Sequence, residues 1–269
     1  MNMIADRIKN VKESGTMKMK ELAGQKKAEG KKIISFTVGE PDFDTPKHIV
    51  EAAKKALDEG KTRYLDGSGL PALREAVAKR SKADNGIPCE ASNVMVTPTK
   101  QAIFMTIMAT VNPGEEVIMP DPAWVTYEPC VTLAGGKAVP AVTKEESQFR
   151  VLPETVAELI TPKTKMILLN SPSNPCGSVA TKEDVKGIAD LAKDHDLVVL
   201  SDEVYEKIIF DGLKHYSIAA EPGMFDRTVT ISGFSKTYAM TGWRMGWLVA
   251  PKPVFKAISK IQQHSITHA

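Results

Sequence analysis

Polar and aromatic residues that could bind a charged, planar ligand follow the ends of several short apolar runs. Thr99 and Lys100 open a helical segment just after one such run, where backbone N–H groups and a hydroxyl can bind an anion. Trp124 follows another run, in a loop from which its ring could stack on a planar group. Asn174 follows a third, between two prolines that fix the direction of its amide.

Two further runs are followed by ionisable residues. Asp202 comes directly after LVVLS, where a carboxylate is costly to bury unless a cationic ligand group pairs with it. Lys236 lies between two apolar runs, with Arg244 eight residues further on. We expect Lys236 to be enclosed by the aromatic residues near it, Phe234, Tyr238 and Trp243.

Each of these features alone also fits an ordinary structural role, such as a helix cap, a core tryptophan, an Asx turn or a surface lysine. Together they supply an anion cradle, a stacking ring, an amide, a carboxylate and an enclosed amine. That set is what pyridoxal phosphate requires of a protein. The combination therefore predicts a cofactor site at one edge of a sheet.

The elements that must carry these residues alternate between strand and helix. Helical spacing over 48–60, 71–86, 101–111 and 182–196 separates short β-branched runs. The predicted strands are VMVT (94–97), EVIMP (116–120), KAVPAV (137–142), KMILL (165–169), LVVLS (197–201), TVTIS (228–232) and GWLVA (246–250). This alternation predicts a three-layer α/β/α sandwich with a mostly parallel seven-stranded sheet. Ligands of such sheets bind at the carboxyl ends of the strands.

The first 44 residues differ from the rest. A basic amphipathic start leads into GEPDFDTP (39–46), whose Gly-Glu-Pro and Thr-Pro sequences break regular structure. We expect residues 1–44 to form an extended, turn-rich arm rather than a packed helix.

Composition excludes several classes of protein. The chain has 35 Lys and Arg residues against 33 Asp and Glu, a balance that gives no electrostatic reason for binding nucleic acid or an anionic membrane. Its three cysteines, Cys89, Cys130 and Cys176, are far apart, which argues against disulfides and a zinc site, so no metal is expected. The N-terminus lacks the apolar core of a signal peptide, and a cytoplasmic location is the expectation.

Six motifs in order make the chain resemble the class I/II aminotransferases, which are fold-type-I pyridoxal-phosphate enzymes. They are GEPDFDTP (39–46), Tyr64 through Gly69 to Arg74, DPAWVTY (121–127), NSPSNPCG (170–177), SDEVYE (201–206) and GFSKTYAMTGWRMG (233–246). The resemblance is closest to the prokaryotic aspartate aminotransferase branch. It implies a cofactor-binding major domain over 45–252, an arm or part of a small domain over 1–44, and the start of an interdomain helix over 253–269.

The resemblance implies catalytic roles for three residues. Lys236 resembles the lysine that binds the cofactor as a Schiff base and then moves the proton. Asp202 resembles the partner of the pyridine nitrogen. Tyr205, with Asn174, resembles the donors to the ring hydroxyl.

Binding roles follow in the same way. Trp124 would stack on the ring, while Thr99, Lys100, Ser235 and Arg244 would hold the phosphate. Tyr64 resembles a phosphate contact from a second subunit, which implies a homodimer. Gly39, Trp124 and Asn174 would contact the substrate, and Ser14, Thr16 and Lys100 lie where this branch reads a distal carboxylate.

The chain departs from the family pattern at several points. The phosphate loop reads VTPTKQ, one residue shorter than usual and without glycine, and Gly233 replaces a serine that some relatives use as a phosphate donor. No arginine follows residue 250, although the family's substrate-carboxylate arginine lies in a later small domain. The resemblance therefore implies a chain in which that small domain is largely missing.

The leading interpretation is a transaminase that moves an amino group between an aspartate-like L-amino acid and a 2-oxo acid such as 2-oxoglutarate by a ping-pong mechanism. One alternative keeps the cofactor but is a β-lyase or related enzyme, since fold does not fix reaction. The other is a truncated, inactive fragment or a non-catalytic dimerisation module.

Overall fold

The central feature of the computed structural model, which describes residues 3–36 and 39–269, is one seven-stranded sheet. Its strands, in chain order, are β1 (Val94–Val96), β2 (Glu116–Asp121), β3 (Lys137–Val142), β4 (Thr164–Asn170), β5 (Val198–Asp202), β6 (Thr228–Gly233) and β7 (Gly246–Val249). Their spatial order is β1-β7-β6-β5-β4-β2-β3, and only β7 runs antiparallel to its neighbours. The mostly parallel sheet predicted from the sequence is confirmed.

The middle strands are apolar because both faces of the sheet are covered. Leu168 and Leu200 pack into one hydrophobic cluster, whereas their chain neighbours Ile167 and Val199 pack into another. Alternate residues of a strand point to opposite faces, so the two clusters lie on opposite sides of the sheet. This is the burial pattern of a parallel sheet between two layers of helices.

The described residues contain nine α-helices. They are α1 (Asp6–Lys9), α2 (Gly15–Ala28), α3 (Lys47–Asp58), α4 (Pro71–Asn85), α5 (Thr99–Thr110), α6 (Tyr127–Leu133), α7 (Pro153–Leu159), α8 (Lys182–Asp194) and α9 (Lys252–Ser265). Helix α8 begins with a capping box between Thr181 and Asp184 and buries Ile188 in the second cluster. Helix α4 ends at Gly86, which takes a left-handed conformation.

The expectation of an extended arm was wrong for the first part of the chain. Residues 15–28 form a 14-residue helix, and all of them are exposed or half-buried. The sequence there is rich in Met, Lys, Glu, Ala and Gln, which favour helix, and the helix-breaking pairs lie further on. Residues 31–36 and 39–45 contain neither helix nor strand, as the Pro and Gly pattern predicts.

Helix α9 is the last element and packs on the body of the fold. Its Ile258 is fully buried in the same cluster as Ile103 of α5. Among the described helices, none has the length and apolar character needed to cross a bilayer.

The loop before α4 must approach β1 closely, and a substitution tests this packing. Gly69 has a φ of +98°, and a Cβ on it would lie 2.6 Å from Cβ of Val96. We expect Gly69→Ala to lower the free energy of unfolding by about 2–4 kcal/mol, from left-handed strain plus the clash.

Gly30→Ala is the matched control, since Gly30 also has a positive φ, +81°, but open space around it. It should cost only about 1 kcal/mol, the strain alone. Urea unfolding of both variants measures the difference, and equal losses would contradict the close packing.

Candidate active site

The predicted site residues converge because three parallel strands end at one edge of the sheet. Asn170 at the end of β4 pairs in register with Asp202 at the end of β5, and Asp202 pairs with Ile231 of β6. A cavity of about 610 Å³ opens at this edge. Its lining includes Thr16, Gly39, Thr99, Lys100, Trp124, Tyr127, Asn170, Asn174, Asp202, Tyr205, Ser235, Lys236, Thr241 and Arg244.

Asp202 is a buried carboxyl with neutral partners. Its Oδ2 accepts a hydrogen bond of 2.8 Å from the Tyr127 hydroxyl, and Oδ1 accepts one of 3.3 Å from the Val204 amide. Burial raises the pKa of Asp202 to about 6, although both hydrogen bonds act in the opposite direction. A carboxyl in this state gains strongly from a cation brought into the cavity.

The loop after β4 is fixed by side chains that bond to backbone. Asn170 Nδ2 donates to the carbonyl oxygen of Asp202 over 3.0 Å, and its Oδ1 accepts from the Asn174 amide over 2.7 Å. Burial raises the pKa of Tyr205, whereas the nearby Asn174 side chain acts to lower it. Asn174 and Tyr205 both line the cavity.

Lys236 lies on a single helical turn, closed by a 3.2 Å bond from the Tyr238 amide to the Phe234 carbonyl. Its amine donates to the carbonyl of Gly39 and lies 5.8 Å from the centroid of the Tyr205 ring. Burial lowers the pKa of Lys236, and the charge of Arg244 lowers it further against the opposing effect of Glu40. A larger fraction of this amine is therefore neutral near pH 7 than of a surface lysine.

The expected aromatic enclosure of Lys236 was wrong. Phe234 packs on Tyr238 and Trp247, with ring centroids 5.6 Å and 4.7 Å apart, and Trp243 donates to Thr45 Oγ1 over 3.0 Å. Residues four apart on a helical turn share a face, so the residue midway between them points the other way. The groups around the amine are those of Tyr205 and Gly39 instead.

The start of α5 forms one end of the cavity. A Cβ on Gly233 would lie 2.4 Å from Thr99 Oγ1, and one on Gly246 would lie 2.3 Å from it. These two glycines therefore let the helix N-terminus, with its free N–H groups, pack down against β6 and β7. Gly233, which replaces a serine that donates to the phosphate in some relatives, has this packing role instead.

Two further side chains complete that end of the cavity. Ser235 and Arg244 both line it, and the Arg244 guanidinium donates to the Thr241 carbonyl over 2.7 Å. A helix N-terminus, hydroxyls and a guanidinium make a donor set suited to a phosphate.

Trp124 supplies the aromatic wall. Its ring meets that of Tyr127 edge to face, with centroids 5.5 Å apart, and the Lys100 amine lies 4.8 Å from its centroid. Tyr127 therefore contacts both the Trp124 ring and the Asp202 carboxylate.

Two of the residues singled out in the sequence lie elsewhere. Tyr64 is 88% exposed and packs against the His268 ring, 5.7 Å away, outside this chain's cavity. Ser14 precedes α2 and is exposed, whereas Thr16 lines the cavity.

Sequence reasoning missed Tyr127 and Asn170. Tyr127 lies within the DPAWVTY motif, but its contact with Asp202 spans 75 residues of chain. Asn170 could have been found, because it is the first polar residue after a buried strand that neighbours the strand of Asp202.

Comparison with known proteins agrees with this geometry. The family model for aminotransferase class I and II matches residues 31–269. The chain is 47% identical to an aspartate aminotransferase of Pyrococcus abyssi and to an aromatic-amino-acid aminotransferase of Thermococcus litoralis, covering 98% of this chain and 67% of each relative. The solved aspartate aminotransferase of Thermus thermophilus with maleate superposes with a TM-score of 0.96 at 40% identity, over all of this chain and 70% of that one.

The charge of Asp202 makes stability depend on pH in the ligand-free protein. Its pKa is raised from 3.8 to about 6, so the protonated carboxyl favours the fold below pH 4 and that contribution is lost as pH rises through 6. We expect Asp202→Asn to be more stable than wild type by about 3 kcal/mol at pH 8, and equal to it at pH 4.

Urea unfolding between pH 4 and 8 measures this difference. Asp58→Asn, at an exposed position, serves as control, and its stability should follow the same pH dependence as that of wild type, because Asp202 is retained. A gain in the Asp202 variant that stays constant with pH would contradict a raised pKa.

Proposed function

The chain belongs to the class I and II aminotransferases, and we propose that it moves an amino group between an aspartate-like L-amino acid and a 2-oxo acid such as 2-oxoglutarate, with pyridoxal 5′-phosphate as cofactor, by a ping-pong mechanism. One observation carries the proposal. A lysine of lowered pKa, Lys236, and a buried carboxyl of raised pKa, Asp202, line the same cavity as a helix N-terminus.

The residues present fit that cofactor. The partners of Asp202 in the described chain are two neutral donors, which leaves its charge available to a protonated ring nitrogen. The close approach of Thr99 to Gly233 and Gly246 puts the start of α5 where a phosphate would bind. Trp124 gives a ring wall between these two ends.

When bound, pyridoxal phosphate supplies a protonated ring that accepts the electron pair released at the substrate Cα. Asp202 would keep the ring nitrogen protonated, since a buried carboxylate stabilises a cation brought next to it. Tyr127 and Val204 hold that carboxylate in one orientation. Asn174 and Tyr205, which line the cavity together, would donate to the ring hydroxyl.

Lys236 is the base of the proposed mechanism. Its Nζ would take the proton from the substrate Cα and deliver it to the C4′ carbon of the cofactor, a task that needs a neutral amine near pH 7. Burial and Arg244 both favour the neutral form. Gly39, whose carbonyl accepts from this amine, lines the same cavity as Asn174, which supports a shared role of the two residues in binding a substrate carboxylate.

Different groups of the cavity would bind the phosphate and the distal end of the substrate. Thr99, Ser235 and Arg244, with the Lys100 amide, would hold the phosphate. Thr16 and the Lys100 amine are the groups available to a distal carboxylate, and they favour a dicarboxylic substrate.

We also propose a homodimer in which Tyr64 reaches the partner's cavity. Tyr64 is 88% exposed, and the nearby Leu65 and Leu70 are 44% and 49% exposed. Apolar side chains grouped in this way are typical of a surface that a second subunit covers.

Replacing Lys236 tests the proposed activity. Adding pyridoxal phosphate to the wild type should give a protein-bound visible absorbance band, and L-aspartate should convert it to that of pyridoxamine phosphate. Lys236→Ala should lose the band and slow amino transfer by more than about a hundredfold, because the base is gone.

Lys260→Ala, on the exposed side of α9, is the control and should behave as wild type. A wild type without the band would contradict cofactor binding. Release of sulfide, ammonia and pyruvate from L-cysteine, with no conversion of the band by L-aspartate, would favour the β-lyase alternative.

A further inference from the structure

A buried ion pair lies next to the site but outside the lining of its cavity. Arg80 of α4 donates from Nη1 to Glu206 Oε1 over 2.8 Å, and their side chains are only 19% and 1% exposed. Charges removed from water in this way carry a desolvation cost, and a well-packed apolar pair is often at least as stable. The pair therefore calls for an explanation other than stability.

Glu206 joins three elements. Its Oε1 also accepts from Ser232 Oγ over 3.2 Å, at the end of β6, and its Oε2 accepts from Asn85 Nδ2 at the end of α4. Its own amide donates to the Glu203 carbonyl over 3.0 Å, which closes the turn that carries Tyr205. The carboxylate thus ties the Tyr205 turn to the strand that leads into the Lys236 turn.

Arg80 holds the Lys236 turn from its other side. The guanidinium carbon lies 5.8 Å from the centroid of the Tyr238 ring and 5.5 Å from that of Trp247. Phe234, at the other end of the turn, packs on the same tryptophan. The face opposite Lys236 is therefore fixed by a cation stacked on aromatic rings.

We propose that Arg80 is a positioning residue, which through its ion pair with Glu206 and its stacking on Tyr238 and Trp247 fixes the turns of Tyr205 and Lys236 relative to each other. The inference rests on the proposed function in one respect, since it takes Lys236 as the reacting amine. Arg80 suits the role because its planar guanidinium can stack and donate at the same time, which a lysine cannot do.

The test compares two pairs of charges in the cofactor-free protein. Arg80→Met with Glu206→Gln removes the pair but keeps an amide oxygen and nitrogen for Asn85 and Ser232. Arg150→Met with Asp184→Asn removes a similarly enclosed pair, 24% and 7% exposed, at the start of α8. The two double variants should lose comparable stability.

The readout is the pKa of Lys236, measured as the pH dependence of its acetylation by trace acetic anhydride and located by peptide mass spectrometry. Glu40, Arg244 and Tyr205 face this amine and are unchanged in both variants. Loosening the turn exposes the amine, so its pKa should rise by at least half a unit in the Arg80 variant and stay at the wild-type value in the Arg150 variant.

Kinetics of the loaded enzyme give a second readout. The Arg80 variant should lose at least tenfold in kcat with less than a twofold change in the KM for the amino acid, while the control keeps both. An unchanged pKa of Lys236, or an equal rise in both double variants, would overturn the proposal. If the Arg80 double variant does not fold, Tyr238→Leu replaces it. A rise in the pKa of Lys236 in that variant would support the proposal, and an unchanged pKa would overturn it.

The two proposals fail separately. A wild type that neither binds pyridoxal phosphate nor transfers an amino group would overturn the proposed function. The titration of Lys236 in the cofactor-free protein would still decide whether Arg80 positions that turn.

Discussion

The carboxyl of Asp202 is the constraint on which the rest of the site depends. It ends a buried strand, is 2% exposed, and has two neutral hydrogen-bond donors as partners. Its charge is unfavourable until a cation enters the cavity, and its position is fixed before that happens. The other residues of the candidate site line the same cavity.

The sheet makes this arrangement possible. Parallel pairing of β4, β5 and β6 brings their carboxyl ends to one edge, so that Asn170, Asp202 and the Lys236 turn come from distant parts of the chain to one cavity. The apolar residues of these strands anchor that edge in two hydrophobic clusters. Rigid elements on both faces hold the side chains of the cavity more firmly than loops alone could.

Much of the fold could be predicted from the sequence. The strands other than β3 are visible as apolar runs because most of their residues are buried, and α8 shows its capping residues and helical periodicity. The prediction of an extended arm over residues 1–44 was partly wrong. It rested on the helix-breaking residues near Pro41 and Pro46, which do not affect the helix-favouring residues 15–28. The boundaries of the domains stay a prediction.

The residues of the candidate site could be predicted from the sequence, but most of the contacts between them could not. Strand ends and motifs identified Asp202, Lys236, Asn174 and Tyr205, and the cavity contains all four. The partner of Asp202, Tyr127, and the ion pair of Arg80 with Glu206 arise only when elements far apart in sequence pack together. The roles of these residues, and that of Tyr64 in a second subunit, stay predictions.

The most direct test of the central claim is the protonation state of the cofactor's ring nitrogen. Pyridoxal phosphate labelled with ¹⁵N in the ring, bound to the protein, reports that state through its nitrogen chemical shift. The wild type should show a protonated nitrogen at pH 8 and Asp202→Asn an unprotonated one. An unprotonated nitrogen in the wild type, or the same shift in both proteins, would contradict the role given to Asp202.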